Sequence, residues 1–270
     1  GVASSLVGSL SVELLEENQV VTMNDNRGEL FSSVGDNYTL VVTNPEPYSD
    51  GIQQMIQNRF AGRPPRPSKP YAIVDVLTTD VLVLTPDTVP LPGGIVTTDF
   101  TALPSGLSAF TSFSQMLIRA CKDYLQIDPT ELRIGLQPFS SSSGISQRIF
   151  IADVLENGSG YVKLIGDDAT LKTIMMDIVT RTGARLTSSV DHPQCDSSCP
   201  SCLRSYENRR VHHLLNWRLG LDLAELFSGV PLDVNRWLPR SSLLIDDFIN
   251  AFDASHQFVK VQLSNGLWAI

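Results

Sequence analysis

Three cysteines within eight residues, Cys195-x3-Cys199-x2-Cys202, constrain this chain more than any other feature. An odd cluster of thiols does not read as a disulfide framework. Asp196, Ser197, Ser198 and Pro200 stand between the thiols and favour tight turns. A loop of this kind can aim several sulfurs at one centre, as a tetrahedral Zn2+ requires. Three residues can supply an imidazole as fourth ligand: His212, His213 and His192. Cys121 is a weaker candidate, because it falls on an apolar helical stripe. An iron–sulfur cluster fits less well, since no fourth cysteine stands clearly beside the three. Four protein ligands would close the site and leave no position for a water nucleophile, so the expected zinc is structural. Reduced thiols also point to a reducing, cytoplasmic compartment.

The rest of the composition sets limits. The chain has 270 residues, 42% of them hydrophobic, with a mean hydropathy of +0.03. That excludes a disordered chain and is enough for a large core. No apolar run reaches membrane-spanning length, and no secretory signal stands at the start. The net charge of −9 argues against a general basic coat for nucleic acid, though not against one local basic face.

The expected fold class is α+β. Residues 1–100 read as a strand-rich subdomain, with a hairpin around Asn24-Asp25-Asn26-Arg27-Gly28 and a strand over 71–84 broken near 78–80. The Pro-rich stretch 62–70 reads as an extended surface loop, with Arg63, Arg66 and Lys69 as a weak basic spot. Residues 101–270 read as an α/β zinc-binding subdomain. Its expected helices cover 107–125, 167–182 and 241–252, and after the cysteines either one long helix over 203–227 or two joined near Asn208. Asp128-Pro129 signals a helix start, 183–200 a loop, 148–155 a buried strand, and the last residues a hairpin.

Arg204, Arg209 and Arg210 follow the last cysteine and form the densest basic group in an acidic chain. Guanidinium forks match phosphate oxygens, so these three are the candidate DNA contacts. Pairing with Glu207, Asp222 and Glu225 would instead neutralise them. No phosphate-binding loop, nucleophile elbow or His-Glu-x-x-His motif occurs, and no catalytic residue is assigned. Asp75, Asp80 and Asp153 lie at or near strand ends and would be the metal ligands if the chain were a nuclease.

The segment Cys195-Asp-Ser-Ser-Cys199-Pro-Ser-Cys202-Leu-Arg-Ser-Tyr206-Glu-Asn208, followed by His212-His-Leu-Leu-Asn-Trp217, resembles the C-terminal zinc-binding domain of MrfA-type superfamily-2 helicases. Thr79-Asp80-Val-Leu and Ile149-Phe-Ile-Ala-Asp153 through Gly158-Ser-Gly160 fit the same pattern. The resemblance implies a histidine ligand four residues after Asn208, which is His212. It also implies a helicase motor as partner, in cis or in trans, and a role in DNA repair or in anti-phage defence of the DISARM kind. The family's Leu-Asp before the tryptophan is Leu215-Asn216 here. No ATPase motif is present, so the chain alone is expected to be an accessory piece of a larger machine and not an enzyme. The other readings are a metal-dependent nuclease and a zinc-stabilised protein-interaction module that does not touch nucleic acid.

Overall fold

The computed structural model describes residues 2–25, 30–34, 39–42, 70–86, 89–90, 96–97, 101, 103–128, 130–141, 144–193, 195–252, 258–264 and 266–270. The Pro-rich stretch before Pro70, with its basic spot, lies outside them, as do residues 26–29 of the expected first turn. The chain divides into two compact units, residues 1–18 with 79–270 and residues 19–78.

The strands are β1 (Val2–Val7), β2 (Leu10–Asn24), β3 (Phe31–Val34), β4 (Thr39–Val42), β5 (Pro70–Tyr71), β6 (Ile73–Pro86), β7 (Val89–Pro90), β8 (Val96–Thr97), β9 (Leu132–Ser141), β10 (Gly144–Asp153), β11 (Val261–Gln262) and β12 (Trp268–Ala269). The helices are α1 (Pro104–Leu125), α2 (Tyr161–Ile165), α3 (Asp168–Asp177), α4 (Gly183–Thr187), α5 (Trp217–Phe227) and α6 (Leu238–Phe252). The α+β class is borne out. The principal sheet has the order β1-β2-β6-β10-β9. The subdomains expected over 1–100 and 101–270 share it, since β1, β2 and β6 come from the first and β9 and β10 from the second. β6 runs through 78–80 without the expected break.

The larger unit has a single core. Leu82 and Leu84 of β6 face across to Ile151 and Ile149 of β10, at the period of two that puts alternate residues on one face. Phe110, Phe113 and Leu117 of α1 and Leu171 and Ile174 of α3 cover them. These helices occupy the expected segments, because their apolar residues recur at helical spacing. Between α3 and α4 the helix continues as a π-helical turn, Ile178–Thr182, so the expected loop over 183–200 begins only after Thr187.

Two other expectations fail for local reasons. Asp128 starts no helix, because its carboxylate accepts the Thr130 amide at 2.8 Å and turns the chain into β9. Over 203–227, expected as one helix or two joined near Asn208, there is a 3-10 turn, Arg209–Leu214, and then α5 from Trp217. The Asn216 side chain accepts the Arg218 amide at 3.0 Å and caps α5. An asparagine serves there as well as the aspartate of the resembled pattern.

α5 lies close on α1. A methyl group at Gly220 would come to 3.0 Å from the Ser112 carbonyl carbon and 3.1 Å from Met116 Cε. Phe113 and Phe227 meet edge to face at 5.1 Å between centroids. Beyond α5, the buried Arg236 pairs with Glu225 and, at 3.4 Å, with Asp222. Burial outweighs Arg236 and the Trp237 indole and pushes the Asp222 carboxyl up to about 6.

Two outcomes are expected. Gly220→Val should destabilise the fold by about 1–3 kcal/mol through overpacking, read by denaturant unfolding. Because the Asp222 pKa is raised on folding, the folded state holds the extra proton between the unfolded value, about 4, and about 6. The Asp222 contribution to stability is therefore full below that window and is lost as pH rises through it. Asp222→Asn should flatten the pH dependence of the melting temperature there.

Candidate metal centre

The short α4 ends at Thr187, and the Ser188 hydroxyl accepts the amides of Val190 and Asp191 to form a turn. The turn carries His192 inward, and its amide donates to Ser188 O at 3.0 Å. After the following loop, Cys199 closes a knuckle: its carbonyl accepts the amides of Cys202, Leu203 and Arg204 at 3.0–3.1 Å. The Cys199 amide donates to Cys202 Sγ at 3.0 Å, fixing that sulfur.

One ligand atom from each of His192, Cys195, Cys199 and Cys202 falls within 4.8 Å of the others. The separations are 3.8 Å for Cys195–Cys202, 3.6 Å for Cys199–Cys202 and 3.4 Å for Cys199 Sγ–His192 Nε2. Sulfurs about 2.3 Å from a tetrahedral zinc stand about 3.8 Å apart, so the cage has the right size. The group it takes is structural zinc.

His192 is prepared for this role. Its Nδ1–H donates to Leu186 O at 3.0 Å, which leaves the Nε2 lone pair facing the sulfurs. The ring is buried and meets Trp217 edge-on at 5.6 Å. The Trp217 indole in turn donates to Cys195 O at 3.1 Å.

The thiols show why a cation belongs here. Burial opposes ionisation of Cys199, but its polar contacts with His192, Cys202 and Cys195 bring it down to about 6. Burial pushes Cys195 and Cys202 up, and at Cys195 the charge of Cys202 adds to the effect. Without a cation the cluster favours one thiolate; a divalent ion offsets the burial and the mutual repulsion that hold the other two protonated.

The structure places His212 elsewhere, which corrects its choice as fourth ligand. Its Nε2–H donates to Ser205 O at 3.0 Å and to Asn208 Oδ1 at 2.9 Å, so that nitrogen has no lone pair for a metal. The Asn208–His212 spacing instead closes the turn after the knuckle. Asn208 also donates to Leu203 O and to Gln115 Oε1, pinning the turn to α1. His213 is exposed. Cys121 is fully buried in the core, and burial raises its thiol to about 12. The sequence signal for His192 was its place three residues before Cys195, in the same loop and on the same side of any helix.

Arg204 Nε donates to the Ser198 hydroxyl at 2.9 Å. Arg209 lies on the exposed Tyr206 ring, 4.3 Å from its centroid, and Arg210 is exposed. Neither Glu207, Asp222 nor Glu225 pairs with these three among the described residues; Asp222 and Glu225 serve Arg236.

Asp80 and Asp153 converge around Gly158, whose φ is +78° and where a methyl group would stand 2.8 Å from one carboxylate and 3.3 Å from the other. Both are engaged in the fold. Asp153 accepts the amides of Ser159, Gly160 and Val162 at the start of α2, and Asp80 accepts the Glu17 amide and faces Lys163 at 3.4 Å. Asp75 is exposed.

Comparison with known proteins bears directly on this centre. Residues 113–203 match the family model of the MrfA Zn-binding domain. The resemblance carried by the knuckle is borne out over this segment. Druantia protein DruE of Escherichia coli (strain UMEA 4076-1) is 29% identical over 111 residues, which are 40% of this chain and 6% of that protein. The crystal structure of the DUF1998 helicase MrfA bound to DNA aligns over 79% of this chain and 23% of that one, with 14% identity and a TM-score of 0.40. The same helicase bound to DNA and AMPPNP aligns over 79% and 21%, with 13% identity and a TM-score of 0.33. The chain thus spans a small part of the length of each protein it matches. No helix among the described residues is long and apolar enough to cross a membrane.

Elemental analysis should find about one zinc per chain. His192→Ala and Cys199→Ser should each lose the metal and lower the melting temperature sharply. His212→Ala should keep full zinc occupancy and lose only the stability of the Asn208 turn. Zinc loss in His212→Ala with retention in His192→Ala would reverse the assignment.

Proposed function

We propose that this chain is the zinc-containing accessory region of a DNA helicase or translocase, and that it braces the motor and guides a DNA strand. The zinc is held by His192, Cys195, Cys199 and Cys202. Arg204, Arg209 and Arg210 meet the phosphate backbone, and the exposed Tyr206 ring beside Arg209 offers a base a stacking face. The motor acts in cis or in trans, in the cytoplasm, and the machine serves DNA repair or defence against phage. The match to the MrfA Zn-binding domain and the likeness to Druantia protein DruE support this reading.

One observation carries the contact with DNA. Arg240 pairs with Asp196 of the knuckle, but six other guanidiniums lie on the knuckle or in the segments around it: Arg119, Arg185, Arg204, Arg209, Arg210 and Arg218. Among the described residues none of them pairs with a carboxylate, although the chain carries −9. Those with partners bond to backbone carbonyls or a hydroxyl, which satisfies their geometry without cancelling their charge. Surplus charge of this kind attracts a polyanion locally, while the acidic remainder of the chain keeps unaided binding weak.

The nuclease reading gains nothing from the geometry, because backbone amides and Lys163 already occupy Asp80 and Asp153. An interaction module without nucleic acid would not require uncompensated arginines on the zinc-bearing surface.

The zinc-loaded chain should bind labelled DNA at low salt in a fluorescence anisotropy titration. Arg209→Ala with Arg210→Ala should weaken it and lower the slope of log K against log salt by about two. Unchanged affinity and slope would move these arginines to protein docking.

A further inference from the structure

We propose a second phosphate-binding site, in a groove on the α1 and α4 side of the knuckle, built from Arg119 and Arg185 and serving a nucleic-acid strand. This rests on the reading of the chain as a DNA-guiding region and adds residues that the arginine strip after Cys202 does not contain.

The groove encloses about 270 Å3 between α1, the end of the π-helical turn and the zinc turn, with Leu186 and Leu203 in its wall. Three guanidiniums line it, Arg119, Arg181 and Arg185, and one carboxylate, Asp123. Arg181 is held bidentately by Asp177, with both contacts at 2.8 Å, and so is largely neutralised. Arg119 and Arg185 pair with no carboxylate among the described residues. Arg119 Nη1 donates to the Cys202 carbonyl, and Arg185 Nη1 donates to the neighbouring Ser201 carbonyl at 2.9 Å.

Two guanidiniums from different helices are therefore anchored on consecutive carbonyls of one rigid turn. Each spends one N–H there and keeps the rest of its five-donor fork. Two such forks, held close together and not neutralised, match the tetrahedral oxygens of a phosphate. Their anchor is the metal-bound turn itself, so their positions are set before a ligand arrives and little ordering entropy is lost on binding. The groove is small for a whole nucleotide, since small-molecule pockets usually start near 300 Å3. It suits one phosphodiester of a strand that continues past Leu203 toward Arg204.

The test uses the zinc-loaded chain, labelled single-stranded and duplex DNA, and a salt series. Arg119→Gln with Arg185→Gln should weaken binding about tenfold or more and lower the salt slope by about two, with zinc content unchanged. Because these arginines also hold the knuckle, a second variant leaves both anchors in place. Thr182→Glu puts a carboxylate into the groove wall and should weaken binding in the same direction. A folded, zinc-loaded Thr182→Glu chain with wild-type affinity and slope overturns the proposal. If Arg209→Ala with Arg210→Ala still weakens binding in that case, the DNA-guiding reading survives without this site. If neither variant changes binding, both fall. Titration with inorganic phosphate and with dAMP separates a free ligand from a strand. Saturable binding of either that Thr182→Glu abolishes, with strand binding untouched, assigns the groove to a free phosphate and overturns the strand proposal.

Discussion

Three thiolates do not share a space less than 5 Å across unless a cation stands among them, and much of the zinc-bearing half of this protein is arranged around that requirement. The knuckle is closed by bonds of its own around Cys199. Its outward-facing atoms are claimed by elements that are otherwise far apart in sequence: Arg119 of α1 on the Cys202 carbonyl, Arg185 of α4 on Ser201, and Trp217 of α5 on Cys195. The Leu186 carbonyl of α4 orients the histidine ligand. A metal with four bonds thereby ties three helices to one turn. This is an economical way for a segment without helix or strand among its described residues, 188–193 and 195–208, to sit against the core.

The zinc site was legible because its chemistry depends on residue type and close spacing, which one sequence displays directly. The three cysteines that the spacing singles out came together in one cluster, and the zinc that fits them is structural. The histidine did not. The i, i+4 relation between Asn208 and His212 is genuine, but it reports a hydrogen-bonded turn, and sequence spacing alone cannot tell a clamp from a ligand. What decides is which ring nitrogen has its proton committed, and that depends on Ser205 O and Leu186 O, carbonyls whose positions depend on the folded backbone.

The same limit applies to the helices and the basic surface. α1 and α3 follow from apolar periodicity, yet 203–227 is broken at Leu215-Asn216 by a capping side chain that a periodicity argument treats as neutral. Arg204, Arg209 and Arg210 were visible as a run. Arg119 and Arg185 stand 66 residues apart in separate helices and become neighbours only because both reach the zinc turn. The pairing of strand-rich residues 79–86 with β10 is likewise long-range, and no local composition announces it.

The π-helical turn at Ile178–Thr182 has a consequence of its own. Ile178 belongs to the core stripe with Leu171 and Ile174, and eight residues later Leu186 is buried again. In a regular helix eight residues rotate a side chain about 800°, which is about 80° away from the starting face. A π bulge absorbs roughly one residue, so the same interval turns about 700° and returns to within about 20° of it. The bulge therefore acts as a phase correction. It lets one continuous helical run serve the sheet at its start and the knuckle at its end, with Leu186 packing inward while its carbonyl faces the imidazole.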